Sequence, residues 1–402
     1  MNVLGLSAFS GDCSAALISD GKLVAWADEA SFTTGPPGLP WRAAAWCLEA
    51  GGVAGAHLEV VALAHKPLKA LDYALSAALA DAPSASGQFA DAAAARFEDM
   101  TLRWGLESRL GFRGGVFYVE RLEALAEASF VQSGFSHAAV VVAGADAEWA
   151  DAAIGACDLD GIRLYHQLDH PHGLSALWRP FCLRAGLTPR ALASLAEGRK
   201  NELLREVVDL KDDGSLRLDR AGLEGRRFEA LAGGLTQVEI ASALQRVTSE
   251  ALRRMAGEAR RLAGSEDLCL AGQAAANDSA MAGLRNQGRL RASCGPLEPA
   301  LGAAVAAWRR SFKRAQVDLS HAATPPAALS GSLKKPTRLE QSAAVAVKSA
   351  AKAAFFGALT PYSLPLRLCG ISFLDERFYP QGTYWKRRPN EGEGLRAYRR
   401  PF

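Results

Sequence analysis

The chain has 402 residues, which at ~100–200 residues per domain suggests two domains or two lobes. Hydrophobic residues make up 49% and charged residues 22%, with 38 glycines, so there is ample core, and collagen, coiled coil and wholesale disorder are excluded. A formal charge of +3 is too small to mark a nucleic-acid binder, and no apolar run reaches the ~18–20 residues of a membrane span.

Val3 to Phe9, Cys13 to Ile18 and Leu23 to Ala27 are β-compatible runs punctuated by Ser10-Gly11-Asp12 and Asp20-Gly21, and they predict a three-stranded meander. Thr34-Gly35-Pro36-Pro37-Gly38 forces a loop before helical periodicity over Arg42 to Ala50. Leu58 to Ala64 reads as a buried strand, followed by helices over about 68–80 and 91–110. A second strand series is expected to open at Val116-Phe117-Tyr118-Val119, followed by a helix over about 122–133. Strands are then expected at Ala138 to Val142 and near 151–158 and 162–167.

Gln237 to Leu262 is the longest amphipathic stretch, with Val238, Ala241, Leu244, Val247, Ala251, Leu252 and Met255 at spacings of three and four. It leads into the strand candidate Leu268 to Ala271, and a helix over about 299–311 closes this body. The pattern of a meander followed by helices and strands occurs twice, which predicts two α/β lobes facing a cleft over residues 1–312. Residues 313–402 differ in kind, with one Ala-rich helix over about 338–357 and an irregular aromatic-basic end.

Charge follows the same division. From Arg309 onward there are 17 basic against 6 acidic residues, and before it 29 against 37. A basic tail behind an acidic body predicts docking, either onto the body itself or onto a partner. The seven cysteines form no CxxC pair and read as free, buried thiols of a reducing compartment. No signal peptide is read at Met1 to Leu6, and the expected location is the cytoplasm.

Several segments together carry a resemblance to a known family. Leu4-Gly5-Leu6-Ser7-Ala8, Gly11-Asp12-Cys13-Ser14-Ala15-Ala16-Leu17, Asp20-Gly21-Lys22-Leu23-Val24-Ala25 and Glu29 resemble the opening of the O-carbamoyltransferases of nodulation and antibiotic tailoring. Trp46 to Gly52, Lys66-Pro67, Pro171-His172-Gly173-Leu174, Leu270-Ala271-Gly272-Gln273-Ala274-Ala275-Ala276-Asn277 and Leu301-Gly302-Ala303-Ala304 continue the likeness in order. The resemblance implies a two-lobed α/β domain of the actin/hexokinase-like (ASKHA) fold over residues 1–312.

It further implies a first domain that holds a carbamoyl-adenylate and an iron-type metal, through two histidines four apart and two aspartates. Residues i and i+4 share a helix face, so two imidazoles there can share one cation. In this chain those four positions fall at Arg121, Leu125, Gly144 and Pro296. A protonated guanidinium and an isobutyl group cannot ligate a cation, so no metal is expected. Gln273 replaces the glycine that would let backbone N–H groups approach a phosphate, leaving ATP or an adenylate an open ligand. The family's second domain, which makes the carbamoyl-adenylate, is expected to be missing.

Six further features remain as candidates. Asp12, at the first hairpin tip, is either a phosphate-side acid or an ordinary turn residue. His166, His170 and His172 invite a metal reading, but Pro171 breaks the helix that would align them, and a loop with one family-like histidine, His172, is the alternative. Gly272 and Asn277 either cradle a nucleotide or cap a helix. His65-Lys66-Pro67 reads as a strand end or a surface turn, and Asp212-Asp213-Gly214 as a β-turn. In the tail, Tyr384, Trp385, Arg387, Arg388, Arg399 and Arg400 interleave aromatics with cations and suit a protein partner or single-stranded nucleic acid.

Because the body is acidic, protein docking is favoured over nucleic acid. A hetero- or homo-oligomer is expected, with an active carbamoyltransferase paralogue as one candidate partner. Three functions follow: a catalytically degenerate accessory subunit, a diverged carbamoyl or acyl transferase using a nucleotide-activated donor, or a nucleic-acid-associated accessory protein.

Overall fold

The computed structural model describes residues 1–8, 13–33, 38–80, 86–87, 89–90, 93, 102–145, 147, 149–196, 203–295, 298–312, 316–320, 322–325, 338–369, 373–374 and 381–388. Asp12, Pro296, Arg399, Arg400 and half of the helix expected over 91–110 lie outside the described residues, although 93 and 102–110 are helical. The chain divides into two compact units. One comprises Met1–Ala124, Pro299–Asp375 and Gly392–Phe402, and the other Leu125–Glu298 and Glu376–Glu391.

The first unit is built on β1 (Asn2–Ser7), β2 (Ser14–Ser19), β3 (Lys22–Asp28), β4 (Val60–Leu63) and β5 (Val116–Tyr118), in the order β3-β2-β1-β4-β5. The first three strands form the predicted antiparallel meander, while β4 and β5 run parallel to β1. The β2–β3 turn is tight because Asp20 and Gly21 both adopt positive φ, 46° and 80°. Helices α1 (Trp41–Ala50) and α2 (Pro67–Ala80) follow β3 and β4. The core of this unit joins Leu4, Leu6, Leu17, Val61 and Leu63 to Ala43, Ala44 and Cys47 of α1.

The second unit repeats this plan with β6 (His137–Ala143), β7 (Ala150–Asp158), β8 (Gly161–Asp169), β11 (Leu268–Ala271) and β12 (Leu290–Ser293). Its order is β12-β11-β6-β7-β8-β13, where β13 is Lys386–Arg387. Here too a meander is flanked by two strands parallel to its first strand. One topology used twice, with helices between, is the actin/hexokinase-like α/β fold. The second copy starts at His137, which corrects the start expected near 115. Val116–Tyr118 pairs with β4 and completes the first sheet.

Helix α3 (Arg121–Val131) is buried along nearly its whole length, and the division between units falls within it. The second core is organised by α4 (Leu174–Ala185) and α5 (Gln237–Ala263), where Trp178 and Phe181 meet Ile154, Leu244, Leu252 and Met255. Thr236 and Glu239 form a reciprocal capping box at the start of α5, and Gly264 ends it in the left-handed conformation. Helix α6 (Asp278–Arg285) follows β11. A short hairpin of β9 (Val208–Leu210) and β10 (Leu216–Leu218) was not anticipated, although its turn matches the reading of Asp212-Asp213-Gly214. Of the seven free cysteines five are buried. Cys294 and Cys369 are exposed, which corrects their assignment as buried thiols.

In the first unit α7 (Glu298–Phe312) lies directly on β1 and on the start of α3, and glycine makes that approach possible. A Cβ at Gly5 would overlap the Ala300 carbonyl, and one at Gly302 would overlap the Ala124 carbonyl. Arg310 and Glu123 close the same contact with an ion pair at 2.5 Å. Gly5→Ala is therefore expected to destabilise this unit by about 1–3 kcal/mol through overpacking, measured as a lowered urea midpoint. An unchanged midpoint would contradict the close approach.

Candidate functional site

Parallel β1, β4 and β5 end on one edge of the first sheet, where open α/β sheets place their ligands. That edge carries Ser7, Lys66, Glu120 and Arg121, all buried. Lys69 and Glu120 form an ion pair at 2.9 Å. Arg121 is the first residue of α3, and its Nη1 donates to Ser7 Oγ at 3.4 Å. Leu125, one helical turn on, is also buried. These two positions present a donor-only cation and a hydrocarbon, so this helix face does not fit the metal that the resemblance implies. Gly144, with φ 64°, brings no side chain at all. Among the described residues, no group of three or more His, Cys, Asp or Glu is placed to hold a metal ion.

In the second unit the loops after β6 and β11 meet through their backbones, with Gln273 N–H donating to the Gly144 carbonyl at 3.1 Å. Gly272 adopts φ 90°, and a Cβ there would overlap the Ala143 carbonyl. Its glycine identity is thus required by strand packing. Asn277 caps α6, its Oδ1 accepting from Ala280 N–H at 3.1 Å. The same amide exchanges two hydrogen bonds with Gln245 of α5, at 2.8 and 2.9 Å. Asn277 therefore acts as a helix cap tied to α5.

The three histidines do not converge on one another. His166 lies in the ladder between Ile154 and Arg387, His170 Nε2 bonds the Ala147 carbonyl at 3.0 Å, and buried His172 accepts from Leu218 N–H through Nδ1 at 3.2 Å. His172 is thus a strut holding the β9–β10 hairpin. A residue missed by the sequence reading stands beside it. Asp151 on β7 is fully buried, and its Oδ2 accepts from Ser175 N–H at 3.3 Å in the first turn of α4. A Cβ at Gly173 would collide with that carboxylate, which explains the glycine next to His172.

Glu29 is also structural. Its carboxylate accepts from Arg42 N–H at 3.0 Å and Ala43 N–H at 2.8 Å, capping α1 from a distance. Burial pushes its pKa from 4.5 up to about 7, against the opposing pull of the Ala43 and Arg42 N–H groups. The folded chain then holds this proton more tightly than the unfolded chain. The associated stability is full below about pH 4.5 and lost as pH rises through about 7. Relative to Glu29→Gln, the wild type should lose roughly 1–3 kcal/mol across that window, seen in urea unfolding at a series of pH values. A difference that does not vary with pH would contradict this.

Residues 381–388 of the tail, expected to be irregular, include a short strand. Lys386–Arg387 form β13, which pairs antiparallel with β8 through Gln167 and His166. Arg388 N–H donates to the Tyr165 carbonyl and Arg388 Nη1 to Gln167 Oε1, both at 2.9 Å. Tyr384 is buried, its hydroxyl donating to Asp209 Oδ2 at 2.5 Å, while Lys211 and Arg217 lie over its ring at 5.2 and 5.6 Å. Trp385 Nε1 donates to the Asp213 carbonyl at 3.0 Å.

Tyr384, Trp385 and Arg388, expected as partner anchors, are therefore used within their own unit, because strand addition and the hairpin satisfy them there. Arg387 keeps its side chain exposed. Burial and the bond to Asp209 push the Tyr384 phenol up. Tyr384→Ala should speed amide exchange at residues 386–388 by about tenfold or more and leave β6–β7 unchanged. Equal protection in both proteins would show that the ring is not the anchor.

No family model matches this chain. An uncharacterised protein of Synechocystis, sll1178, is 26% identical over 351 residues, covering 77% of this chain and 57% of that protein. The chain thus spans little more than half of that relative's length. Among solved structures, the activator of 2-hydroxyisocaproyl-CoA dehydratase from Clostridium difficile, determined with bound ADPNP, aligns over 78% of this chain and 96% of its own at 15% identity, with TM-score 0.45. The ROK hexokinase of Thermus thermophilus aligns over 76% and 97% at 18% identity, with TM-score 0.35. The fold assignment rests on the strand order of the two sheets.

Proposed function

We propose that this chain is a carbamoyltransferase-like protein without catalysis of its own, acting as an accessory subunit to an active partner. The observation that carries this reading is Arg121, a buried guanidinium hydrogen-bonded to Ser7 where the resemblance calls for a metal-binding imidazole. With Leu125 four residues on, the i and i+4 pair supplies no lone pair to a cation. The anchors Tyr384 and Trp385 are spent within the chain, so the partner is met elsewhere than at these two residues.

One observation favours a second reading, a diverged transferase using a nucleotide-activated donor. Lys66 and Arg121 are both buried cations at the ends of β4 and β5, beside the first turns of α2 and α3, and such an edge suits a phosphate. Two measurements on the purified chain separate the readings. The accessory reading expects no stoichiometric transition metal by elemental analysis, and no heat on titration with ATP and a divalent cation. Saturable ATP binding that is lost in Lys66→Met would favour the second reading, and stoichiometric iron would overturn the accessory reading.

A further inference from the structure

The C-terminal helices carry a surface that none of these readings uses. Helix α8 (Arg338–Ala354) continues through a wide turn over Phe355–Leu359 into α9 (Thr360–Leu368). One side of this rod is seated on the first unit. Ala351, Phe355 and Ser363 are buried, with Phe355 packed on Ala78 of α2 and on Phe89. The outward side is apolar in a way that side does not require. Leu368 is 88% exposed, Val345 64%, Tyr362 60%, Phe356 51% and Leu364 42%.

At about 100° per residue, with the wide turn adding one residue to the path, Val345, Phe356, Leu364 and Leu368 fall within ~40° of one another. They form a row roughly 36 Å long. The only ionisable side chains between Val345 and Leu368 besides Tyr362 are Lys348, Lys352 and Arg367, all exposed and all lying between the row and the buried side. No helix among the described residues is long and apolar enough to cross a membrane.

We propose that this outward row is a docking site for an anionic lipid surface, on which α8 and α9 lie in the plane of the interface. Charge complementarity selects that occupant, because 24 residues with three cations and no acid would meet an acidic headgroup layer without repulsion. The shape agrees. These side chains protrude one by one, and fluid acyl chains close around such projections, whereas a protein groove must be built to match them. The attraction is local to this segment, since residues before Arg309 carry more acid than base.

The test is flotation of the full chain with vesicles of phosphatidylcholine alone and of phosphatidylcholine with about one-third phosphatidylglycerol, at low and high salt. Binding is expected only to the anionic vesicles and should fall at high salt. Each of Lys348→Glu and Lys352→Glu should weaken it about fivefold or more. Phe356→Ser with Leu368→Ser should abolish it, and both positions are exposed enough for the fold to tolerate the change, with circular dichroism confirming this. The proposal is overturned if the chain does not float with anionic vesicles, or floats equally after these substitutions. It is also overturned if sedimentation shows a dimer that the serine variants dissolve, which would assign the row to a second copy.

Discussion

A guanidinium does not give up its proton at any pH a protein survives, and placing one inside the fold commits the surrounding groups to that charge. Arg121 imposes this constraint at the entrance to α3. It stands where the positive end of a helix dipole would favour an acid, so the site is electrostatically costly as well as desolvated. Nearby groups answer the cost, with Ser7 Oγ accepting from Arg121 and Glu120 and Glu123 held by Lys69 and Arg310. Lys66 and Arg121 both bring fixed positive charge to this edge, and its carboxylates Glu120 and Glu123 are each held by a cation. Restoring a histidine at Arg121 alone would still leave Leu125 without a lone pair for a cation.

The doubled sheet raises a second constraint. Each meander leaves its third strand, β3 or β8, at an edge, and an exposed edge offers unpaired N–H and C=O groups to other chains. Both edges are covered by sequence that follows α7. Asp318 and Ala323 exchange backbone hydrogen bonds with Gly21, Leu23, Val24 and Trp26 along β3, and β13 pairs with β8. The two covers share a logic but not a geometry, since the bridges to β3 are parallel and β13 is antiparallel. The basic-aromatic end thereby serves the fold. Tyr384 and Trp385 grip the β9–β10 hairpin, and Lys386–Arg387 complete the sheet.

Much of this was legible because local chemistry and tertiary structure agree. Asp20-Gly21 can only turn tightly, and the three-and-four spacing through Gln237–Ala263 can only bury one helical face. The sheet membership of β5 was not legible, since a three-residue apolar run does not say which strand it will pair with. The short strands β9, β10 and β13 were invisible for the same reason, their pairing being set by contacts far along the chain. In the site, Arg121 and Leu125 were found by aligning motifs. Asp151 was missed because a carboxylate within a strand gives no local sign that it will cap a helix following β8. Tyr384 reads in sequence as a free aromatic anchor, and only a hydroxyl partner 175 positions earlier reveals that it is an internal one.

The segments that carry the family resemblance separate into two groups by what they do here. Asp20-Gly21 shapes a hairpin, Glu29 caps α1, Gly272 admits the Ala143 carbonyl, Asn277 joins α6 to α5, and Gly302 lets α7 reach α3. Each has a packing or capping reason sufficient to fix its identity without any ligand. Arg121, Leu125 and Gly144 stand where the resemblance calls for chemistry, and they are the positions that depart from it. A chain still performing the reaction would have to keep the second group even at some cost to the first, because a reactive constellation tolerates little displacement. The opposite pattern supports the accessory role proposed above, in which the fold is kept without the reaction. On that proposal the outward faces of this molecule, rather than its strand edges, are the place to look for its work.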